Sequence, residues 1–297
     1  MTDLIQVKGL GKTSKAQIVL QDVTFRVPQG MLSVISGAPR SGKTSVLRVM
    51  LGLEAHQQGQ CSFLDLSLHL PARKQMLHLG LKPPRMLPWV TCAEFLLHLP
   101  HYQALLDPQT WVYTALTQVG LQKMAHVSVW SLKRHQKVKL WIAAQMGPQG
   151  GLLLLDEPMQ GLNVQERQDL WLVLRRLVWE GRSVLLTTSC LKEAEMYGEY
   201  LVLLDQGRVV AQGEFAQLTA QRRVILEVED TTAATSALHQ LGLVQQVEEV
   251  QGGVMVDLSM EQVQKMLPLL QEQCIQVREC HPEALVSLYL RLQQAAP

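Results

Sequence analysis

One glycine-rich segment of the 297-residue chain has the composition and spacing of a phosphate-binding loop. Between a strand and a helix, the backbone N–H groups of such a loop and the helix N-terminus surround the phosphates of a nucleotide. Lys43 would reach the β- and γ-phosphate oxygens, and the Thr44 hydroxyl would coordinate Mg²⁺. The alternative is an ordinary tight turn, which the strand and helix patterns on either side disfavour. The predicted nucleotide-binding residues are Gly37, Ala38, Pro39, Arg40, Ser41, Gly42, Lys43, Thr44 and Ser45.

Two adjacent carboxylates, Asp156 and Glu157, follow the apolar run at 152–155. Ligands bind at the carboxyl ends of strands in open α/β sheets, so both groups would face a bound nucleotide. Asp156 would hold Mg²⁺ directly or through water, and Glu157 would act as the general base that polarises the attacking water. Such a pair by itself is more often an ordinary solvated strand end. Together with the phosphate loop, it indicates a site for nucleotide hydrolysis.

The segments around these residues predict an α/β fold. Apolar and polar residues alternate over 23–27, as in a half-buried strand, before an apolar run at 31–35 leads into the phosphate loop. From Lys43 onward, the apolar residues fall on one face of a helix. The uninterrupted apolar runs at 152–155 and 183–187 are typical of parallel strands that are buried on both faces.

The pattern changes along the chain and predicts two domains. Residues 1–215 would form the α/β domain, with a helical insertion at about 88–146. Residues 216–297 follow the order βαββαβ, which is typical of a ferredoxin-like domain. An amphipathic helix at 282–293 would end the second domain.

The composition excludes several classes of protein. A hydrophobic content of 47% is too high for a disordered chain. The formal net charge of +1 provides no overall field for polyanions, which disfavours a general nucleic-acid binder. No apolar run approaches the roughly 18 residues that cross a bilayer, so a membrane role would depend on a partner. Five scattered cysteines without a CxxC pair favour reduced thiols and a cytosolic compartment.

The order of these motifs resembles that of the ATP-binding subunit of ABC transporters over about residues 5–215. Residues 130–138 are similar to the signature region that opens the helix before the carboxylate pair, and residues 205–213 to the closing strand pair of the family. The C-terminal domain, with LVSLYL at 285–290, resembles the appendage of exporter-type members. The resemblance implies a P-loop NTPase core with an antiparallel β subdomain, and ATP and Mg²⁺ as cofactors.

Several positions of the family's motifs hold other residues in this chain. The two central signature glycines donate backbone N–H groups to ATP held by the opposite subunit, and they correspond here to Leu132 and Lys133, whose side chains would block that approach. Ser189 replaces the switch histidine, and no aromatic residue lies at 10–17, where the adenine-stacking residue is expected. The degenerate positions, where the family's motifs are altered or incomplete, are Pro84 in the motif called the Q-loop, Ser131, Leu132, Lys133 and Arg134 in the signature, Asn163 in the motif called the D-loop, and Ser189 at the switch position.

The resemblance implies a cytoplasmic subunit that lies on the inner face of the cell membrane through transmembrane permease subunits. It would couple Mg-ATP binding and dimer closure to transport, with export as the favoured direction. A second ATP-binding subunit is expected, and a heterodimer is favoured because a homodimer would lack signature glycines at both sites. Removing one preorganised contact costs about 10² to 10³ in rate, so hydrolysis would be weak or regulatory, and whether the chain is an active ATPase stays open. The alternative is a non-hydrolysing pseudo-ATPase scaffold of a membrane assembly.

A cluster of basic residues at the start of the signature helix could contact the phosphates of a nucleotide or of nucleic acid. A helix that faces solvent or an interface is the favoured interpretation. A soluble ABC-type ATPase acting on nucleic acid is disfavoured, because the chain has one ATPase domain and no heptads, and no nucleic-acid partner is expected. The basic residues are Lys133, Arg134, His135, Lys137 and Lys139.

Overall fold

A computed structural model describes most of the chain. The chain is divided into two compact units. The units are Met1–Gln212 and Gly213–Pro297. The predicted Q-loop residue Pro84 and all but the first residue of the predicted final helix at 282–293 lie outside the described residues. The described residues are 2–14, 17–63, 89–146, 151–220, 224–241, 244, 247–250, 252–258, 260–272 and 275–282.

Both units contain strands and helices. The strands are β1 (Asp3–Ser14), β2 (Gln17–Pro28), β3 (Leu32–Ser36), β4 (Gln58–Phe63), β5 (Leu152–Asp156), β6 (Ser183–Thr188), β7 (Tyr200–Asp205), β8 (Arg208–Glu214), β9 (Val224–Val228), β10 (Val247–Val250), β11 (Gly253–Val256) and β12 (Val277–Pro282). The helices are α1 (Lys43–Met50), α2 (Cys92–Leu97), α3 (Pro100–Gln103), α4 (Pro108–Gln118), α5 (Arg134–Gln145), α6 (Val164–Trp179), α7 (Leu191–Tyr197), α8 (Phe215–Ala220), α9 (Thr231–Leu241) and α10 (Met260–Glu272).

A five-stranded sheet in the order β5-β6-β3-β7-β8 forms the centre of the first unit. The pairs β5–β6, β6–β3 and β3–β7 are parallel. Every residue of β3 and β6 is buried, so the continuous apolar runs correctly predicted strands covered on both faces. Because parallel strands end at the same edge, the segments after β3, β5 and β6 meet there.

A second sheet of the first unit, in the order β2-β1-β4, is antiparallel and shares a hydrophobic core with α1 and the central sheet. The alternating residues Val23, Phe25 and Val27 are buried in β2, as the sequence predicted, while their polar neighbours are exposed. They share one hydrophobic cluster with Val46 and Leu47 of α1. This packing fixes the helix that follows the phosphate loop.

The predicted helical insertion contains α2 to α5 and two short 3₁₀ turns, Gln122–Met124 and Val129–Ser131. A capping box begins α2, because the Thr91 hydroxyl accepts from the Glu94 N–H and the Glu94 carboxylate accepts from the Thr91 N–H. No helix in the described part of the chain is long and apolar enough to cross a membrane.

The second unit contains an antiparallel sheet in the order β10-β11-β9-β12. The chain order of β9, α9, β10, β11, α10 and β12 is the predicted βαββαβ, and this strand order is that of a ferredoxin-like domain. Leu226 of β9, Leu238 of α9 and Val263 of α10 are buried in its core. The helices therefore cover the sheet with their apolar sides.

Candidate nucleotide-binding site

Two glycines shape the loop between β3 and α1. Gly37 has φ +153°, and a Cβ atom there would lie 2.0 Å from the backbone oxygen of Leu204. Gly42 has φ +104°, and a Cβ atom there would lie 2.8 Å from a methyl carbon of Leu20. Both positions therefore need a residue without a side chain. The helix that follows begins at Lys43 and directs its first backbone N–H groups toward the loop.

The Lys43 side chain lies inside this loop. Its Nζ donates to the backbone oxygens of Gly37, at 2.8 Å, and Ala38, at 2.9 Å. Lys43 is only 5% exposed, and burial lowers the pKa of its ammonium group, while Glu157 and Asp156 act in the opposite direction. The loop thus holds a positive charge at its centre, where the phosphates of a nucleotide would bind.

A hydroxyl and a carboxylate meet at the end of β5. Thr44 Oγ1 lies 3.0 Å from both carboxylate oxygens of Asp156. Thr187, at the end of β6, also donates its hydroxyl to Asp156, at 2.7 Å. Hydroxyl and carboxylate oxygens are the ligands that Mg²⁺ prefers, so Thr44 and Asp156 fit the predicted metal site. Thr187 was not predicted, because no local pattern marks a residue 31 positions away from Asp156.

Glu157 is held at both its backbone and its side chain. Its φ is +48°, a conformation that residues with side chains rarely adopt and that recurs at functional sites. Its backbone N–H donates to Thr187 Oγ1 at 2.9 Å. Its carboxylate accepts from the hydroxyl of Ser189 at 2.6 Å and from the Ser189 N–H at 3.3 Å. One carboxylate oxygen is 3.9 Å from Lys43 Nζ.

These groups border an open cavity of about 1040 Å³. Of the residues predicted to bind the nucleotide and the metal, Gly37, Ala38, Ser41 and Asp156 do not line it. Ile18, 65% exposed, forms part of one wall, and none of the lining residues is aromatic. The predicted residues that line the cavity are Pro39, Arg40, Gly42, Lys43, Thr44, Ser45, Glu157 and Ser189.

The signature-like segment before α5 lies apart from this cavity, and its backbone donors have partners within the chain. The Leu132 N–H donates to the backbone oxygen of Val129 at 3.3 Å, and the Leu132 side chain is buried. The Lys133 N–H donates to the side-chain oxygen of Gln136 at 2.9 Å. Ser131 is exposed, and its hydroxyl donates to a backbone oxygen in the same turn. Backbone groups that already have partners are poorly suited to bind a phosphate.

The start of α5 contacts the loop before α6. The guanidinium carbon of Arg134 lies 2.7 Å from where a Cβ atom of Gly161 would be. Nδ1 of His135 is 2.7 Å from a carboxylate oxygen of Glu166. Glu166 and Asn163 exchange two hydrogen bonds in a capping box, and the Asn163 N–H lowers the pKa of Glu166. Part of the basic cluster therefore serves packing between α5 and α6.

Sequence comparison finds relatives over most of the chain. Residues 20–160 match the family model described as ABC transporter. The chain is 28% identical over 214 residues to the Nod factor export ATP-binding protein I of Bradyrhizobium diazoefficiens, covering 71% of this chain and 70% of that protein. It is 29% identical over 220 residues to the protein of the same name from Paraburkholderia xenovorans, covering 73% of this chain and 72% of that protein.

Solved structures share the fold of this chain. The protein cbiO1 of Clostridium perfringens, part of the ABC transporter complex cbiONQ, has a TM-score of 0.65 at 18% identity and covers 74% of this chain and 92% of its own. A dimeric ATP-binding cassette in a post-hydrolysis state with ADP and phosphate has a TM-score of 0.61 at 19% identity. The match covers 71% of this chain and 98% of that cassette. These likenesses establish the P-loop NTPase fold that was predicted from the motifs.

Proposed function

We propose that the chain acts as the ATP-binding domain of an ABC exporter, where it binds Mg-ATP and hydrolyses it slowly. The observation that supports this most is the meeting of Lys43, Thr44, Asp156 and Glu157 at one edge of the sheet. The relatives named as export proteins favour export as the direction of transport.

The residues would divide the work as follows. The loop N–H groups and Lys43 would bind the phosphates and balance their charge. Thr44 and Asp156 would hold Mg²⁺, which when bound neutralises charge on the phosphate oxygens. Glu157 would take a proton from the water that attacks the γ-phosphate. Thr187 would keep Asp156 and the backbone of Glu157 in place through its hydroxyl.

Slow hydrolysis follows from the signature-like segment. In this family each ATP lies between the phosphate loop of one subunit and the signature of the other. Here the N–H groups of Leu132 and Lys133 donate within their own chain, and both residues carry side chains. A homodimer would therefore lack signature donors at both sites. A second ATP-binding subunit with signature glycines would complete the site that contains Lys43, so we propose a heterodimer.

Such a heterodimer would reach the membrane through transmembrane permease subunits. We place the chain on the cytoplasmic side of the cell membrane, where ATP is available. Closure of the two ATP-binding subunits around Mg-ATP would then move the permease subunits.

ATP binding and turnover by the native complex test this proposal. We expect Lys43→Ala to weaken ATP binding and Glu157→Gln to abolish the turnover that belongs to this chain without weakening binding. If Glu157→Gln leaves turnover unchanged, hydrolysis by this chain is refuted.

A non-hydrolysing scaffold is the second candidate, and the internally bonded signature segment favours it. A scaffold would bind ATP and stabilise the assembly, while Glu157→Gln would change neither turnover nor assembly. Turnover with and without Glu157→Gln separates this candidate from a slow ATPase. Retention of the complex on size-exclusion chromatography, with and without Mg-ATP, tests whether ATP stabilises the assembly.

A further inference from the structure

We infer that Ser189 is a positioning residue for Glu157. Ser189 stands where the family has the switch histidine, and the sequence alone indicated only the loss of the histidine imidazole. The structure gives it two contacts of its own, since its hydroxyl and its backbone N–H each donate to a different oxygen of the Glu157 carboxylate. This inference rests on the proposed hydrolysis at the same site.

The two hydrogen bonds fix the plane of the carboxylate. The hydroxyl lies 2.6 Å from Oε1, a length typical of a hydrogen bond from a hydroxyl to a charged carboxylate, and the N–H lies 3.3 Å from Oε2. Rotation about the last side-chain bond of Glu157 would break both contacts. A general base must present its lone pairs to water in a defined direction, so this restraint bears directly on catalysis.

The sheet explains why a short side chain is sufficient here. Asp156 at the end of β5 pairs with Thr187 of β6 in parallel register. The next residue on one strand is Glu157, and Ser189 follows two positions after Thr187 on the other. Neighbouring strands lie about 5 Å apart, so a serine hydroxyl spans the remaining gap. Ser189 also lines the cavity, which places its hydroxyl beside the space for a nucleotide.

The backbone of Glu157 is held from the same strand. Its N–H donates to Thr187 Oγ1 at 2.9 Å, and its φ of +48° is maintained by these surroundings. The end of β6 therefore supports Glu157 at the backbone through Thr187 and at the side chain through Ser189. The Oε1 atom that accepts from the Ser189 hydroxyl also lies 3.9 Å from Lys43 Nζ.

Ser189 loses no proton in this scheme. As the water oxygen bonds to the γ-phosphorus and the bond from phosphorus to the ADP oxygen breaks, the water proton moves to a Glu157 carboxylate oxygen. The Ser189 hydroxyl donates to that carboxylate before and after the transfer. Its contribution is to orientation, so its removal should lower the rate at saturating ATP and leave ATP affinity unchanged.

The test is single-turnover hydrolysis of ATP by the native complex containing full-length chain. The variants are Ser189→Ala, Ser189→Thr and Glu157→Gln. Ser62→Ala is the matched control, because Ser62 is an exposed serine in β4, away from the cavity. ATP affinity is measured in parallel with a fluorescent ATP analogue, and thermal melting reports folding.

We expect S189A to lower the rate constant about 10- to 100-fold at unchanged ATP affinity, while S189T and S62A keep it. A merely structural role of Ser189 would instead lower the melting temperature or the ATP affinity of S189A. If E157Q abolishes turnover but S189A leaves it unchanged, or if S189A weakens ATP binding instead, the role of Ser189 is refuted and the proposed function stands. If E157Q leaves turnover unchanged, both fail.

Discussion

Two loops of this chain each precede a helix N-terminus, and only the first has the glycines that a phosphate loop needs. The loop before α1 has glycines at φ +153° and +104°, where a side chain would collide with neighbouring atoms. The loop before α5 has Leu132 and Lys133, whose N–H groups donate to Val129 and Gln136. A helix N-terminus alone therefore does not make a phosphate site. A phosphate site also needs a backbone without side chains where the phosphate approaches.

The largest effect is expected from Gly37→Ala in the first loop. The new Cβ atom would lie 2.0 Å from the backbone oxygen of Leu204, so the loop must move. We expect ATP affinity to fall at least about 100-fold, because misplacement by about 1 Å has this effect in a preorganised site. Equilibrium dialysis with labelled ATP measures this affinity.

Gly30→Ala is the matched control for this variant. Gly30 also has a positive φ, +71°, but a Cβ atom there would meet no atom within 4 Å. It should cost stability by about 1 kcal/mol and leave ATP affinity intact. Equal ATP affinity of G37A and the unaltered chain would show that the loop tolerates a side chain, which would remove the contrast between the two loops.

A smaller loss is expected from Asp156→Asn. The substitution removes the negative charge that faces Thr44 and leaves one oxygen to accept from Thr44 and Thr187. We expect affinity for ATP in the presence of Mg²⁺ to fall about tenfold, with little change in EDTA, because the proposed role of the carboxylate is to hold the metal. Titration with a fluorescent ATP analogue under both conditions measures this. A similar fall in EDTA would mean that Asp156 supports the loop rather than a metal.

A gain of activity is expected when the second loop is made like the first. The double variant L132G/K133G removes both side chains and should raise turnover of the native complex several-fold. The gain should stay below the full value of a signature contact, because Gln136 can still accept from the backbone at position 133. The double variant L132A/K133A is the control. An equal rise in both would attribute the effect to side-chain size and not to the backbone.

The smallest effect is expected at Asn163, which caps α6 by exchanging two hydrogen bonds with Glu166. Asn163→Ala should lower the free energy of unfolding by about 1 kcal/mol, while Asn163→Asp, which restores the residue typical of the family, should be nearly neutral because Asp caps as well as Asn. Urea denaturation measures both. A large loss of stability in Asn163→Asp would show that position 163 has a requirement beyond capping.

Much of the fold follows from local patterns in the sequence. The runs predicted at 152–155 and 183–187 became Leu152–Asp156 and Ser183–Thr188, each longer by one residue. The order of elements in the second unit was also predicted. Local periodicity specifies these elements because it reflects which side of a strand or helix is buried. The roles assigned to the individual site residues stay predictions that the variants above would test.

The sequence by itself determined the phosphate loop, because all of its predicted binding atoms come from nine consecutive residues whose conformation the two glycines allow. Tertiary structure alone decided that Thr187 bonds Asp156, that Ser189 holds Glu157 and that His135 meets Glu166. Each pair is separated by 31 or 32 residues, so no local spacing relates its members. Their distances are set by the pairing of β5 with β6 and by the packing of α5 on α6, which form only when the whole sheet and its helices assemble.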